Sequence, residues 1–303
     1  MNLLGIKMDR IVFYLNGDRG ILALKAIQNA GHNVETVVFP ASSKRGEELA
    51  SLVTKLGCKP AATTDVNSPE FIEFIKKMQP NLGIVGGYST IFKNALINLP
   101  EFGTINLHGG RVPQYRGGSP LNWQIINGER EIGISVLRMD ERVDAGSVVA
   151  ESTIQLSLED DIASIHKKAN DLFPKLLVEA LSVIDSNSTD IRVQDEKHAK
   201  YWHQRNEADG MINWHHMTAS KVINTVRAIT RPYPGAFTFL NNEKIRIFKA
   251  REQAEQICGV PGRIFYLLGE GPLVICADRA VVLEEYARDD GDRIRLSTGM
   301  HFD

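Results

Sequence analysis

Along the first half of the chain, short runs of β-branched and aromatic residues alternate with segments whose apolar residues recur at helical spacing. Arg10–Leu15 (RIVFYL) reads as a first strand, broken by Gly17 and Gly20 before an amphipathic helix over Ile21–Ala30 that stops at Gly31. Val34–Phe39 predicts a second strand, Arg45–Leu56 a helix stopped by Gly57, and Pro69–Met78 a further helix. Leu82–Val85 and Thr104–His108 predict two more strands. Such alternation predicts an α/β fold, a Rossmann-like doubly wound and mostly parallel sheet whose ligands bind beyond the carboxyl ends of its strands. Ile132–Met139 and Val148–Ile154 follow as strands, and Asp160–Ile184 as a long helix in which Pro174 predicts a kink or a break.

The pattern then changes. Ser186–Lys200 is polar and of mixed charge. After a helix over Ala219–Ile229 come short strands at Ala236–Leu240, Lys244–Ala250, Gly262–Leu267, Leu273–Ala277 and Ala280–Glu285. Short strands at regular spacing predict a small open barrel of the OB type. The expected organisation is a catalytic domain over residues 1–190, a linker over 191–208 and a barrel domain over 209–303.

Composition adds exclusions. A length of 303 residues fits two domains, and a net charge of −2 gives no general attraction to nucleic acid or membrane. The three cysteines, Cys58, Cys258 and Cys276, are widely spaced, so neither a disulfide framework nor a C-x-x-C metal site is expected, and a reducing, cytoplasmic setting is. The opening MNLLGIKMDRIVFYL is too interrupted by charge to read as a signal peptide or membrane span.

Candidate chemistry lies between Asn106 and Asp144. Asn106 and His108 stand at i and i+2 at a strand end, so both point to one side of the sheet. Asp144 lies in the loop of RMDERVDAG (Arg138 to Gly146). Taken singly, an Asn at a strand end is a turn former, a His a cap and an Asp a loop residue. Brought together, an amide donor, an imidazole and a carboxylate can polarise a carbonyl and move protons, as acyl transfer to an amine requires. No G-x-S-x-G elbow is present, and His108 with Asp144 lacks the further ligand that a metal would need. Arg116, in a Gly-rich loop running into Ser119–Pro120, suits an anionic group such as phosphate, or is a plain surface arginine. In RPYPGAF (Arg231 to Phe237) two prolines stiffen a loop around Tyr233, which is a structural turn or a presented ring.

With NLHGGRVPQYRGGSPLNWQIINGE, GISVLRMDERVDAG, DGMINW and RAITRPYPGAF in view, nearly the whole chain resembles the formyltransferases that use 10-formyltetrahydrofolate. Within that family it looks most like the sugar-nucleotide N-formyltransferases, in particular the branch acting on UDP-4-amino-4-deoxy-arabinose. The resemblance implies Asn106, His108 and Asp144 as the catalytic residues. It implies a folate pocket at Tyr88, Ser89, Thr90, Ile91 and Phe92 together with Met139, Asp140, Glu141 and Val143, largely through backbone groups. It further implies acceptor contacts at Gly109, Gly110, Tyr115, Arg116, Asn122 and Tyr233. The implied reaction formylates the amine of a nucleotide-linked amino-deoxysugar, for lipopolysaccharide or O-antigen synthesis, and a homodimer is compatible with it. The alternative is methionyl-tRNA formylation, but that enzyme carries a basic inserted loop after its second strand. The matching PASSKRGEELA (Pro40 to Ala50) is short and has only Lys44 and Arg45 as basic residues.

Overall fold

The computed structural model describes residues 8–186 and 191–303. The start of the opening run (residues 1–7) and residues 187–190 of the polar stretch lie outside the described residues. The chain forms two compact units: residues 1–117, 133–154 and 167–201, and residues 118–132, 155–166 and 202–303. The expected first domain is therefore interrupted twice, since residues 118–132 and 155–166 belong to the second unit.

The elements of the first unit follow one another as β1 (Ile11–Leu15), α1 (Asp18–Asn29), β2 (Val34–Pro40), α2 (Gly46–Lys55), β3 (Lys59–Thr63), α3 (Pro69–Lys76), β4 (Leu82–Gly86), α4 (Asn94–Ile97) and β5 (Thr104–His108). Short strand β6 (Arg116–Gly117) comes next; α5 (Pro120–Ile126), which belongs to the second unit, interrupts the series before β7 (Glu131–Arg138), β8 (Val148–Gln155) and α6 (Ile162–Asp185), whose first turn also belongs to the second unit. The seven-stranded sheet has the order β3-β2-β1-β4-β5-β7-β8. Strands β1 to β5 pair in parallel, and β7 runs antiparallel to β5, with Asn106 opposite Leu137 and His108 opposite Ser135. The doubly wound expectation holds. β1 and β4 are buried along their whole length, as strands covered on both faces must be.

Two departures have plain causes. β3 was not expected from KPAAT: it is a half-exposed edge strand without β-branched apolar residues, and its Pro60 is tolerated at an edge. α6 runs unbroken through Pro174. Its apolar stripe, including Ile165, Ala169, Phe173, Leu177, Ala180 and Leu181, is fully buried, and that packing outweighs the one backbone bond that proline removes. Among the described residues no helix is long and apolar enough to cross a membrane.

The second unit holds β9 (Tyr201–Trp202) at its boundary, then α7 (Ala219–Ile229), β10 (Ala236–Leu240), β11 (Glu243–Glu252), β12 (Ile264–Tyr266), β13 (Pro272–Ile275) and β14 (Ala280–Arg288). Its antiparallel sheet has the order β10-β11-β14-β13-β12, with β11 irregular against β14 around Phe248. Such bulges add the bend that a small curved sheet needs. α7 lays Val222, Val226 and Ile229 into the core beside β11. Trp214 is fully buried, stacks on Phe302 with ring centroids 5.6 Å apart and donates its indole N–H to Thr238 Oγ1 at 2.9 Å.

Candidate active site

Strand β5 delivers Asn106 and His108 side by side at its carboxyl end, with buried Leu107 between them facing the other way. The loop after β7 brings Asp144 back to them. Asn106 Nδ2 donates to Asp144 Oδ1 at 3.3 Å, and Asp144 Oδ2 accepts from the Gly117 backbone N–H at 2.9 Å and lies 3.4 Å from His108 Nδ1. The convergence expected from spacing alone is thus present. His108 is 5 % exposed and Asp144 12 %. An ionic or proton-sharing contact there is little screened by water.

The tautomer of His108 follows from its partners. Nε2 lies 2.6 Å from the Tyr115 carbonyl oxygen, which can only accept, so Nε2 carries hydrogen. Nδ1 then faces the Asp144 carboxylate. Without a proton between them two lone pairs oppose; with one, the contact is attractive. Both ring nitrogens are thus directed at protein groups, Nε2 at the Tyr115 carbonyl and Nδ1 at the Asp144 carboxylate.

Backbone shape sets the Asp144 loop. Asp144 has φ of 50°, in the left-handed region where a non-glycine residue needs a reason to stay. Gly146 supplies one: a Cβ there would stand 1.9 Å from the Arg138 carbonyl oxygen, so the chain passes β7 too closely for any side chain. Gly146→Ala is expected to displace Asp144 and cut kcat at least tenfold, a loss read by steady-state kinetics beside a denaturation curve. Gly110 is equally constrained, since a Cβ would meet the Tyr115 carbonyl oxygen at 2.4 Å and His108 Nε2 at 2.5 Å.

A brace absent from the sequence reading holds the loop from outside. Gln194, 5 % exposed, donates through Nε2 to the carbonyl oxygens of Asp144 at 2.9 Å and Gly146 at 2.6 Å. Its Oε1 accepts from Arg116 Nε at 3.0 Å. Arg116 is fully enclosed, and its guanidinium also binds Glu196 at 2.8 and 3.1 Å and the Tyr201 hydroxyl at 2.9 Å. The phosphate contact expected of Arg116 is therefore corrected, because its fork is already spent on protein acceptors. Tyr115 also differs from a sugar contact: its side chain is buried, and its carbonyl positions His108. Gly109 and Gly110 are buried as well. Asn122, in the second unit, donates to the Ala228 carbonyl oxygen at 2.7 Å and ties α5 to α7 instead of facing a ligand.

The residues expected around a folate divide. Tyr88 and Phe92 turn their rings into the core, edge-on to Tyr14. Met139 packs on the same cluster. Ile91 and Val143 are 69 % and 44 % exposed, apolar surface on two loops beyond the strand ends. Glu141 accepts from Asn94 Nδ2 at 3.0 Å, and Asp140 accepts from the Arg142 backbone N–H at 2.8 Å. Tyr88, Ser89 and Thr90 line a polar cavity of about 440 Å³ with Asn16, Ser42 and Thr63, which residues 139–143 do not enter. Tyr233 is half-buried in the second unit, its hydroxyl 3.0 Å from His166 Nε2.

A doubly wound sheet carrying an amide, an imidazole and a carboxylate at one strand end, with an antiparallel carboxyl-terminal sheet, defines a class of group-transfer fold. The formyl transferase family model matches residues 13–181 and the formyl transferase carboxyl-terminal domain model matches residues 205–300. The chain belongs to the formyl transferase family. It is similar in fold to the N-formyltransferase from Helicobacter canadensis in complex with folinic acid and dTDP-3-aminofucose, at 16 % identity and a TM-score of 0.70, covering 92 % of this chain and 100 % of that one. HypX from Aquifex aeolicus in complex with tetrahydrofolic acid matches at 20 % identity and a TM-score of 0.64, over 93 % of this chain but 44 % of its own, so this chain spans under half of HypX. Methionyl-tRNA formyltransferase from Clostridium thermocellum matches at 17 % identity and a TM-score of 0.58, over 81 % of this chain and 94 % of that one.

Proposed function

We propose that this protein transfers the formyl group of 10-formyltetrahydrofolate to the amine of a nucleotide-linked amino sugar. We place the reaction in the cytoplasm, in the synthesis of a cell-surface polysaccharide such as lipopolysaccharide or O-antigen. The observation that carries the reading is the Asn106–Asp144–His108 contact, set at a strand end and braced by Gln194. Exposed Ile91 and Val143 suit the faces of a flat heterocycle, which fits a folate beside the loops that bear them.

The folate supplies an activated formyl carbon on N10. Asn106 spends one amide hydrogen on Asp144 and keeps the other for the formyl oxygen, where charge grows as the amine attacks. Asp144, with His108 behind it, takes the proton that the amine must lose as its bond to carbon forms. The same pair returns that proton to N10 as the carbon–N10 bond breaks, so the net change is one formyl moved and one proton exchanged. Replacing Asn106 by Ala is expected to lower kcat by about 10²- to 10³-fold, as removal of one oxyanion donor does. Single-turnover formyl transfer at saturating folate checks it.

Two observations favour a nucleotide sugar over tRNA. The H. canadensis relative holds a dTDP-linked amino sugar. In the short loop where a basic insertion would sit, Arg45 is paired to Asp18 at 2.8 Å and to Glu48 at 2.7 Å, which neutralises half of its cationic residues. UDP-, dTDP- and GDP-linked amino sugars and initiator methionyl-tRNA, each offered with 10-formyltetrahydrofolate, test the reading. Formylation of a sugar nucleotide is expected; formylation of the tRNA alone would overturn it.

A further inference from the structure

The sequence-based phosphate arginine is spent within the fold, which leaves the question of which cation could meet the acidic part of such a substrate. In the second unit a cavity of about 170 Å³ is lined by Ser119, Gln204, Arg205, Asn206, Glu207, Ile229, Tyr233, Pro234 and Gly235. We propose that this cavity binds the diphosphate bridge of a nucleotide, with Arg205 as its principal donor. The proposal rests on the reading above that the acceptor is nucleotide-linked.

Among the described residues Arg205 has no carboxylate within ion-pair distance, although Arg227, Arg246 and Arg279 of the same unit also hold a buried nitrogen without a partner. Its Nε is buried with no hydrogen-bond partner among the described residues, and its Nη2 makes a long 3.4 Å bond to the carbonyl of the next residue. Arg231, Arg246, Arg251, Arg279 and Arg288 of the same unit all meet carboxylates. A guanidinium offers five N–H groups in a fixed fork, and leaving a buried one unmet is costly unless a ligand completes it. Burial pulls the Arg205 pKa below its ordinary range, and Asp209 offsets this only in part. Asp209 is itself engaged: one oxygen accepts from the Asn206 backbone N–H at 2.7 Å, and the other lies 3.7 Å from His203 Nε2.

The lining agrees with an anion. Its single carboxylate, Glu207, is shared by Lys244 at 2.9 Å and by Arg246, so it does not cancel the Arg205 charge. Ser119 Oγ accepts from the Arg205 backbone N–H at 3.1 Å and fixes where the side chain starts, while its own hydrogen stays available. The Tyr233 hydroxyl is held by His166 at 3.0 Å, on a ring that borders the cavity. The space is too small for a nucleoside, since pockets for whole drug-sized ligands run to about 300–1,000 Å³. It suits a pair of phosphate groups, for which a planar fork gives bidentate recognition that an ammonium does not.

Calorimetric titration of the full chain with inorganic pyrophosphate, UDP and dTDP tests this. Arg205→Gln is expected to weaken all three by about 10- to 100-fold, the range for losing charge-assisted bonds. Arg205→Lys should fall between, because it keeps charge and loses the fork. Binding of 5-formyltetrahydrofolate should match wild type in both variants and serves as the control for folding. Should Arg205→Gln not fold, Arg205→Lys carries the comparison. Equal diphosphate affinity in wild type and the variants would overturn the assignment, as would no diphosphate binding by the wild type. Failure of the acceptor reading looks different: diphosphates would still bind through Arg205 while no sugar nucleotide becomes formylated.

Discussion

Asp144→Asn is expected to lower kcat by about 10²- to 10⁴-fold, the usual weight of a positioned proton-transfer group. Two physical losses combine. Asn cannot take up the proton that the proposed mechanism passes to the residue 144 side chain. It also offers one oxygen where the carboxylate offers two, and both are in use, one by Asn106 Nδ2 and the other by the Gly117 backbone N–H. Whichever way the new amide turns, one of those donors faces another donor, and where that donor is Asn106 its orientation toward the formyl oxygen is lost. The fold should persist, because the carbonyl of residue 144 keeps its bond from Gln194. Single-turnover kinetics beside circular dichroism separates the two effects; a rate within threefold of wild type would remove Asp144 from the chemistry.

Arg116→Met carries the second large effect and reads mainly on stability. Methionine replaces the stem of the arginine but leaves Gln194 Oε1 without its buried donor, at a cost of about 1–3 kcal/mol. Glu196 adds little to that figure, because its side chain is half exposed. Chemical denaturation measures the loss. The activity consequence is indirect: Gln194 loosens and the Asp144 loop with it, so kcat falls while KM for the folate holds. Gln194→Leu should reproduce the fall in kcat, since it removes both bonds to the loop. Had Arg116 bound substrate phosphate, its loss would raise KM for the sugar nucleotide and leave denaturation untouched.

Sequence periodicity was a good guide wherever burial was complete. Runs such as RIVFYL and the spacing of Asn106 and His108 carry their geometry locally, so the sheet, its strand ends and the position of two of the three candidate side chains could be placed in advance. Asp144 was legible because DAG marks a turn, although the steric need for Gly146 is visible only once Arg138 lies across from it. β3 escaped because an exposed edge strand has no apolar signature. Arg116 was misjudged for another reason: a lone arginine in a glycine-rich loop looks free, and its partner Glu196 is 80 residues away. Arg205 stood in a polar stretch expected to be a linker, and nothing in its neighbours announces an unmet guanidinium.

The central claim is a folate-dependent formylation carried by the Asn106–His108–Asp144 cluster. Its most direct measurement is the product formed from a nucleotide-linked amino sugar and 10-formyltetrahydrofolate, by wild type and by Asp144→Asn, with tetrahydrofolate release followed in parallel. The account predicts a formamide on the sugar amine, matched mole for mole by tetrahydrofolate, and near-absence of both with the variant. Tetrahydrofolate released to water with no formylated sugar, or equal product from the two proteins, would contradict it.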